Sequence, residues 1–137
     1  MSFKALLPAL VGFGLLASGA ASAADGDPAA GKKIFNQCQA CHTVVKGKNG
    51  LGPSLNGVIG RKAATAEGFK NYSPAMQKAD IVWTEENLDK YLADPKGFIP
   101  GNRMIFIGLK KPEDRANVIA FLKQASQEGG AAQGSSE

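Results

Sequence analysis

The two cysteines and the single histidine of this 137-residue chain lie within five consecutive positions, Cys38-Gln39-Ala40-Cys41-His42. Two thiols at this spacing lie about one helical turn apart, so each of them can add to one vinyl group of a haem. The imidazole that follows directly then lies beneath the iron. The pattern therefore predicts one haem c, attached covalently through Cys38 and Cys41, with His42 as an axial ligand.

Three other uses of this segment compete with haem attachment. A thioredoxin-like dithiol begins a helix after a strand, whereas these cysteines are expected at the end of a first helix that no strand precedes. A zinc site needs four ligands, and two cysteines with one histidine supply only three. Chance would have to bring every cysteine and the only histidine into one short segment. Haem attachment is therefore the favoured interpretation.

A haem that carries electrons usually takes methionine sulfur as its second axial ligand. Beyond residue 23 the chain contains Met76 and Met104. Met76 falls in a short predicted helix, where a thioether that fills a gap in the core is the ordinary interpretation. Met104 follows Pro100 and Gly101 in a predicted loop, far enough from His42 for the chain to reach the opposite face of a flat ring. This placement favours Met104 and leaves Met76 open.

Helices with capping signals are predicted to position these residues. Asp27 precedes Pro28 as an N-cap, and apolar residues then recur at helical spacing up to the cysteines. Residues 43–72 are rich in glycine and show no period, and so long a loop requires something other than protein to fill the space beside it. The predicted fold class is all-α, with four or five helices and long loops wrapped around one haem. The further predicted helices span residues 73–79, 84–94 and 112–125.

The two ends of the chain are expected to lie outside this domain. Lys4, the apolar residues 5–17 and the small residues 21–23 form the pattern of a cleaved secretory signal peptide over residues 1–23. The apolar stretch is too short to span a bilayer, so the mature form has no predicted membrane span and is expected in the periplasm. The predicted domain covers residues 24–126, and residues 127–137 are predicted to form a flexible tail.

The charge pattern indicates the kind of partner. The chain carries 16 Lys and Arg against 12 Asp and Glu, and its composition is that of an ordinary globular protein rather than a disordered or collagen-like one. Residues 28–66 contain six basic residues and no acid, which favours a basic face that steers docking onto acidic surfaces. Any single lysine among them is ordinarily a solvated surface charge. A net charge of +4 is modest, and nucleic acid is not an expected partner.

The chain resembles the class I cytochromes c, and most closely the bacterial cytochromes c2 and their mitochondrial relatives, from about residue 26 to residue 125. The resemblance rests on short motifs that occur in the family's order. These motifs are residues 31–35, 38–43, 52–57, 59–61, 81–84, 91–96, 99–106 and 115–123.

The resemblance implies a role for each candidate site residue. His42 and Met104 would bind the iron, and the second ring nitrogen of His42 would donate to the carbonyl oxygen of Pro53. Tyr91 would point its hydroxyl at the Met104 sulfur. Three more side chains would hydrogen-bond the haem propionates, namely Arg61, Tyr72 and Trp83.

Other positions are implied to pack or to differ. Gly31 and Phe35 of the first helix would cross against Val118 and Phe121 of the last. Asn102 stands where relatives usually have a threonine that touches a propionate. Met76 stands where many relatives have an asparagine, and one residue is inserted near Lys70-Asn71.

The resemblance also implies a function. With both axial positions filled, the protein would be a monomeric electron carrier rather than an enzyme. It would dock on acidic surfaces of membrane redox complexes, taking electrons from a cytochrome bc1 complex to a photosynthetic reaction centre or a terminal oxidase. The alternative is a dedicated haem c subunit, or a ligand-reactive cytochrome, of a periplasmic enzyme.

Overall fold

The structure is a computed structural model that describes residue 1 and residues 25–131. The predicted all-α class is confirmed, because the described residues form helices and loops, and their only β-type pairing is an isolated antiparallel bridge between Lys62 and Val82. None of the described helices is long and apolar enough to cross a membrane. The helices are α1 (Pro28–Phe35), α2 (Pro74–Lys78), α3 (Glu85–Ala93), α4 (Pro95–Phe98) and α5 (Pro112–Ala131).

Side-chain caps begin three of these helices at the predicted positions. A carboxylate oxygen of Asp27 accepts a hydrogen bond from the backbone N–H of Ala29 at 2.8 Å and begins α1. The hydroxyls of Ser73 and Thr84 accept in the same way, each at 3.1 Å, at the start of α2 and α3. Each cap satisfies an N–H that the helix itself cannot pair, which explains why these starts are visible in the sequence.

α1 ends earlier than predicted, at Phe35, so the two cysteines do not lie on it. Cys38 N–H donates to Phe35 O at 2.8 Å, and Cys41 N–H donates to Cys38 O at 3.1 Å. These two bonds span three residues, whereas the bonds from Gln39 N–H to Phe35 O at 3.2 Å and from His42 N–H to Cys38 O at 2.9 Å span four, so tighter and α-type turns alternate here. The cysteines therefore lie on hydrogen-bonded turns that leave the helix.

The stop signal Asp94-Pro95 also begins a helix. Asp94 ends α3, and its carboxylate then accepts a hydrogen bond from Gly97 N–H at 3.0 Å as the N-cap of the four-residue α4. Proline at the first helical position ends one helix and begins the next without leaving an unpaired donor, because it has no backbone N–H. The sequence predicted the end of a helix at residue 94 but not the start of the next one.

α5 continues to Ala131, five residues into the segment predicted as a tail. Contacts with the long loop explain the extension, because Ser126 Oγ accepts a hydrogen bond from Gly57 N–H at 2.7 Å and Ala125 O accepts one from the Asn56 amide at 3.3 Å. Residues 132–137 lie outside the described residues. The predicted signal peptide also lies outside them, apart from Met1.

The crossing of α1 and α5 forms the base of the core. A Cβ atom on Gly31 would overlap the carbonyl oxygen of Asn117, so only glycine permits this approach. The rings of Phe35 and Phe121 lie 5.3 Å apart beside the crossing, and Val118 is only 2 % exposed. The predicted packing of the first helix against the last is therefore present.

The long loop of residues 43–72 is fixed along the segment 81–83. Gly60 N–H donates to Trp83 O, Ala63 N–H donates to Ile81 O, and Trp83 N–H donates to Arg61 O, each at 2.8 Å. Trp83 and Val58 are buried where the two segments meet. The loop thereby forms one wall of a cavity, although it contains no helix.

We expect Gly31→Ala to lower the free energy of unfolding by about 1–3 kcal/mol, because the added methyl group forces the backbones of α1 and α5 apart. Denaturant unfolding of the haem-loaded protein measures the loss. Lys32→Ala is the matched control, since it changes the neighbouring exposed residue to a better helix former. Equal stability of the two variants would contradict the close approach.

Candidate functional site

A cavity of about 410 Å³ lies between the long loop and the segment 99–106. Its size is that of a cofactor pocket. All nine residues predicted for the site line it, although they come from separate parts of the chain. They are Cys38, Cys41, His42, Pro53, Arg61, Tyr72, Trp83, Tyr91 and Met104.

One nitrogen of the His42 ring is fixed by the long loop. His42 Nδ1 lies 2.7 Å from Pro53 O, and because a carbonyl oxygen only accepts, Nδ1 carries the hydrogen and donates it. Burial lowers the pKa of His42; the bond to Pro53 opposes this shift, and the charge of Arg61 adds to it. The neutral imidazole is therefore favoured, and its Nε2 keeps a lone pair for a metal ion.

Gly52 provides the space for this ring. A Cβ atom on Gly52 would overlap His42 Cε1, and the backbone N–H of Gly52 donates to Cys41 O at 2.9 Å. The loop therefore passes directly over the imidazole. Both contacts bind the segment of the cysteines to the loop that carries Pro53.

Neither cysteine forms a disulfide. Cys38 is half-buried and Cys41 is exposed. Burial raises the pKa of the Cys38 thiol, and the adjacent Cys41 adds to this shift. Among the described residues no three His, Cys, Asp or Glu side chains form a group that could hold a metal ion. Both thiols line the cavity.

Met104 meets the hydroxyl of a buried tyrosine. Tyr91 Oη donates to Met104 Sδ at 3.8 Å, and burial raises the pKa of Tyr91 to about 12, so the hydroxyl keeps its hydrogen at neutral pH. The rings of Trp83 and Tyr91 lie 4.9 Å apart and hold the phenol in place. Met76 also lines the cavity, but no hydrogen bond to its sulfur occurs among the described residues.

A half-buried cation lies in the cavity wall. The Arg61 guanidinium donates to Ser54 O at 3.0 Å and to Asn56 O at 3.2 Å, and burial lowers its pKa. None of the salt bridges among the described residues involves Arg61. The guanidinium therefore brings a positive charge to the cavity wall, which suits an acidic group such as a haem propionate.

Tyr72 and Trp83 add polar atoms to the same cavity. Tyr72 Oη accepts a hydrogen bond from Ala66 N–H at 3.0 Å, so the hydrogen of this hydroxyl is still available to an acceptor. Trp83 also lines the cavity, and its indole N–H can only donate. These donors, the thiols and the apolar walls fit a haem with two propionates.

Sequence reasoning missed the hydrogen-bonding role of two residues beside Met104. The Asn102 amide bonds to three backbone groups, and Arg103 Nη1 donates to Asn71 Oδ1 at 2.9 Å across the mouth of the cavity. The Pro100-Gly101-Asn102 sequence is a turn signal that could have indicated the role of Asn102. The bond between Arg103 and Asn71 joins residues 32 apart, and no local pattern indicates it.

The comparisons with known proteins agree with this fold and site. A family model for cytochrome c matches residues 28–126. Cytochrome c2 of Rhodomicrobium vannielii is 50 % identical over 127 residues, which are 92 % of this chain and 98 % of the relative. Cytochrome c2 iso-2 of Magnetospirillum fulvum is 58 % identical over 100 residues, which are 73 % of this chain and 98 % of the relative.

A solved structure extends the agreement to three dimensions. Cytochrome cH from Methylobacterium extorquens is 44 % identical and superposes with a TM-score of 0.68, covering 72 % of this chain and 99 % of that one. The chain belongs to the cytochrome c family, as a class I c-type cytochrome close to the cytochromes c2. It is therefore a c-type electron carrier with a covalently bound haem c.

We expect Arg61→Leu to lower the free energy of unfolding by about 1–3 kcal/mol, since it leaves the carbonyl groups of Ser54 and Asn56 without their donor. Guanidinium unfolding of the haem-loaded protein measures this loss. Lys62→Leu, at the next residue, removes only an exposed salt bridge to Asp80 and should cost less than about 1 kcal/mol. A loss at Lys62 as large as that at Arg61 would contradict the assignment.

Proposed function

We propose that this protein is a one-electron carrier whose haem iron is bound by His42 Nε2 and Met104 Sδ. One observation carries the proposal: a single cavity receives both side chains together with Cys38 and Cys41. Because the bond to Pro53 uses Nδ1, Nε2 is the nitrogen that would bind the metal. The hydroxyl of Tyr91 favours the sulfur of Met104 over that of Met76.

The surrounding residues adapt the site to electron transfer. When bound, the haem supplies a one-electron iron couple. Apolar walls would exclude water and favour the oxidation state of the haem that has the lower net charge. A thioether ligand raises the reduction potential of the iron relative to a second imidazole. Arg61, Tyr72 and Trp83 would hydrogen-bond the propionates, whose burial requires such partners. With both axial positions filled the iron has no site for a substrate, which supports a carrier and not an enzyme.

Charge indicates how the carrier meets its partners. Several acids of the described chain are already in salt bridges, since Lys62, Lys90, Arg115 and Lys123 each pair with an Asp or Glu. Other basic residues form no salt bridge among the described residues, including Lys32, Lys33, Lys48 and Lys96. Arg103 lies at the cavity itself. This excess of positive charge would steer the protein onto acidic surfaces of redox complexes.

The proposed setting is the periplasm, with the protein as a monomer. Electrons would come from a cytochrome bc1 complex and pass to a photosynthetic reaction centre or a terminal oxidase. The sequence pattern of a signal peptide over residues 1–23 and the similarity to cytochromes c2 support this setting.

We expect Met104→Ala to abolish the thioether-to-iron absorption near the red end of the ferric spectrum, and to let the reduced protein bind carbon monoxide at neutral pH. Met76→Ala is the control, because Met76 lines the same cavity but should keep the band. Optical spectra of both variants decide the ligand. Ready binding of carbon monoxide by the unchanged protein would instead favour the ligand-reactive alternative.

The rate of electron exchange with a purified bc1 complex should fall by about tenfold or more as ionic strength rises from low to physiological values. Stopped-flow kinetics at several salt concentrations measures it. At low salt Lys48→Gln should slow the reaction, whereas Lys123→Gln, on α5 and paired with Glu85, should not. A rate that does not depend on salt would exclude docking through the excess of positive charge.

A further inference from the structure

The backbone around Met104 has little support from other backbone. Residues 99–111 contain no helix or strand. Residues 103–108 form no backbone-to-backbone hydrogen bond within the described part of the chain. The hydrogen bonds to Met104 come instead from the side chains of Asn102 and Tyr91.

Asn102 supplies that support through all parts of its amide. Its Nδ2 donates to Pro95 O at 2.8 Å and to Ile99 O at 2.9 Å, and its Oδ1 accepts from Met104 N–H at 2.9 Å. Both donor hydrogens are used, and the acceptor is used on the opposite side. One side chain thus joins the first residue of α4 and the C-cap Ile99 to the backbone of Met104.

The turn before Asn102 aims the amide. Asn102 N–H donates to Ile99 O at 3.2 Å, and Gly101 between them has φ of 87°, which glycine adopts without strain. Proline followed by such a glycine is typical of a type II turn. The bond from Asn102 Oδ1 to the N–H two residues later is an Asx turn, which asparagine favours.

We propose that Asn102 is the positioning residue for Met104: its amide holds the Met104 backbone against α4 and so resists displacement of the sulfur from the iron. This inference rests on the proposed ligation by Met104. It differs from the role that the resemblance implies for this position, which is contact with a haem propionate.

The two roles predict different orders of variants. A threonine hydroxyl has one donor and can replace only part of the amide's bonds, an aspartate has no donor for the two carbonyl groups, and an alanine has neither. Positioning by the amide therefore predicts that Asn102→Thr is impaired. Contact with a propionate predicts that Asn102→Thr behaves like the unchanged protein.

The test is the affinity of the ferric, haem-loaded protein for added imidazole, which binds the iron only when the sulfur leaves. We expect Asn102→Ala and Asn102→Asp to raise this affinity by about tenfold, and Asn102→Thr by about threefold. The thioether-to-iron band should weaken at imidazole concentrations lower by the same factors. Asn87→Ala, which removes an amide bond to Val82 O in another part of the chain, should leave the affinity unchanged.

The same substitution made in Met104→Ala protein distinguishes the positioning role of Asn102 from the assignment of Met104 as the ligand. In Met104→Ala protein there is no sulfur to displace, so adding Asn102→Thr should not change imidazole affinity. If Met104→Ala keeps the thioether band, the ligand assignment fails and this inference fails with it. If Met104→Ala loses the band but Asn102→Thr binds imidazole as the unchanged protein does, only the positioning role of Asn102 is overturned.

Discussion

The hydrogen bond from His42 Nδ1 to Pro53 O is the interaction on which the rest of the site depends. It fixes which ring nitrogen is free and also fastens the cysteine segment to the long loop. That loop has no helix to hold it, so Pro53 must be positioned by its neighbours. Arg61 binds the carbonyl groups of Ser54 and Asn56, and the end of α5 binds Asn56 and Gly57. The orientation of one imidazole is thus connected to α5.

The two sides of the cavity are built in different ways. The His42 side is supported by several segments that bond to one another through backbone and side chains. The Met104 side depends on the amide of Asn102 and the hydroxyl of Tyr91, with no backbone ladder between residues 103 and 108 in the described structure. Segments with few backbone hydrogen bonds open at a lower free-energy cost than the rest of a protein. Under the proposed ligation, the Met104 sulfur is therefore the ligand that we expect to leave the iron first.

Local signals explain what the sequence revealed. Caps at Asp27, Ser73 and Thr84 act within three residues, and the spacing of the cysteines and the histidine is equally short, so neither needs tertiary information. The resemblance indicated the more distant members of the site, and the structure brings them to one cavity, although their roles toward the haem are still predictions.

The sequence did not predict helix boundaries correctly where one residue has two roles or where a contact with a distant residue determines the boundary. Asp94 both ends α3 and caps α4. The signal for the end of α3 therefore gave no indication that α4 begins at the same residue. α5 extends into a glycine-rich segment because Ser126 meets Gly57, 69 residues away. The spacing of the cysteines was compatible with a longer α1, but the chain tightens into turns after Phe35.

A carrier must exchange electrons with little movement of its ligands, since any rearrangement adds to the barrier of every transfer. Under the proposed ligation an imidazole whose Nδ1–H is held by a backbone carbonyl meets this requirement, because the hydrogen bond fixes its orientation. A thioether cannot be oriented in the same way, since sulfur is a weak acceptor and has no hydrogen to donate. The chain must fix the backbone of Met104 instead. The Asn102 amide, with two donors and an acceptor, does so within a segment that has no helix or strand.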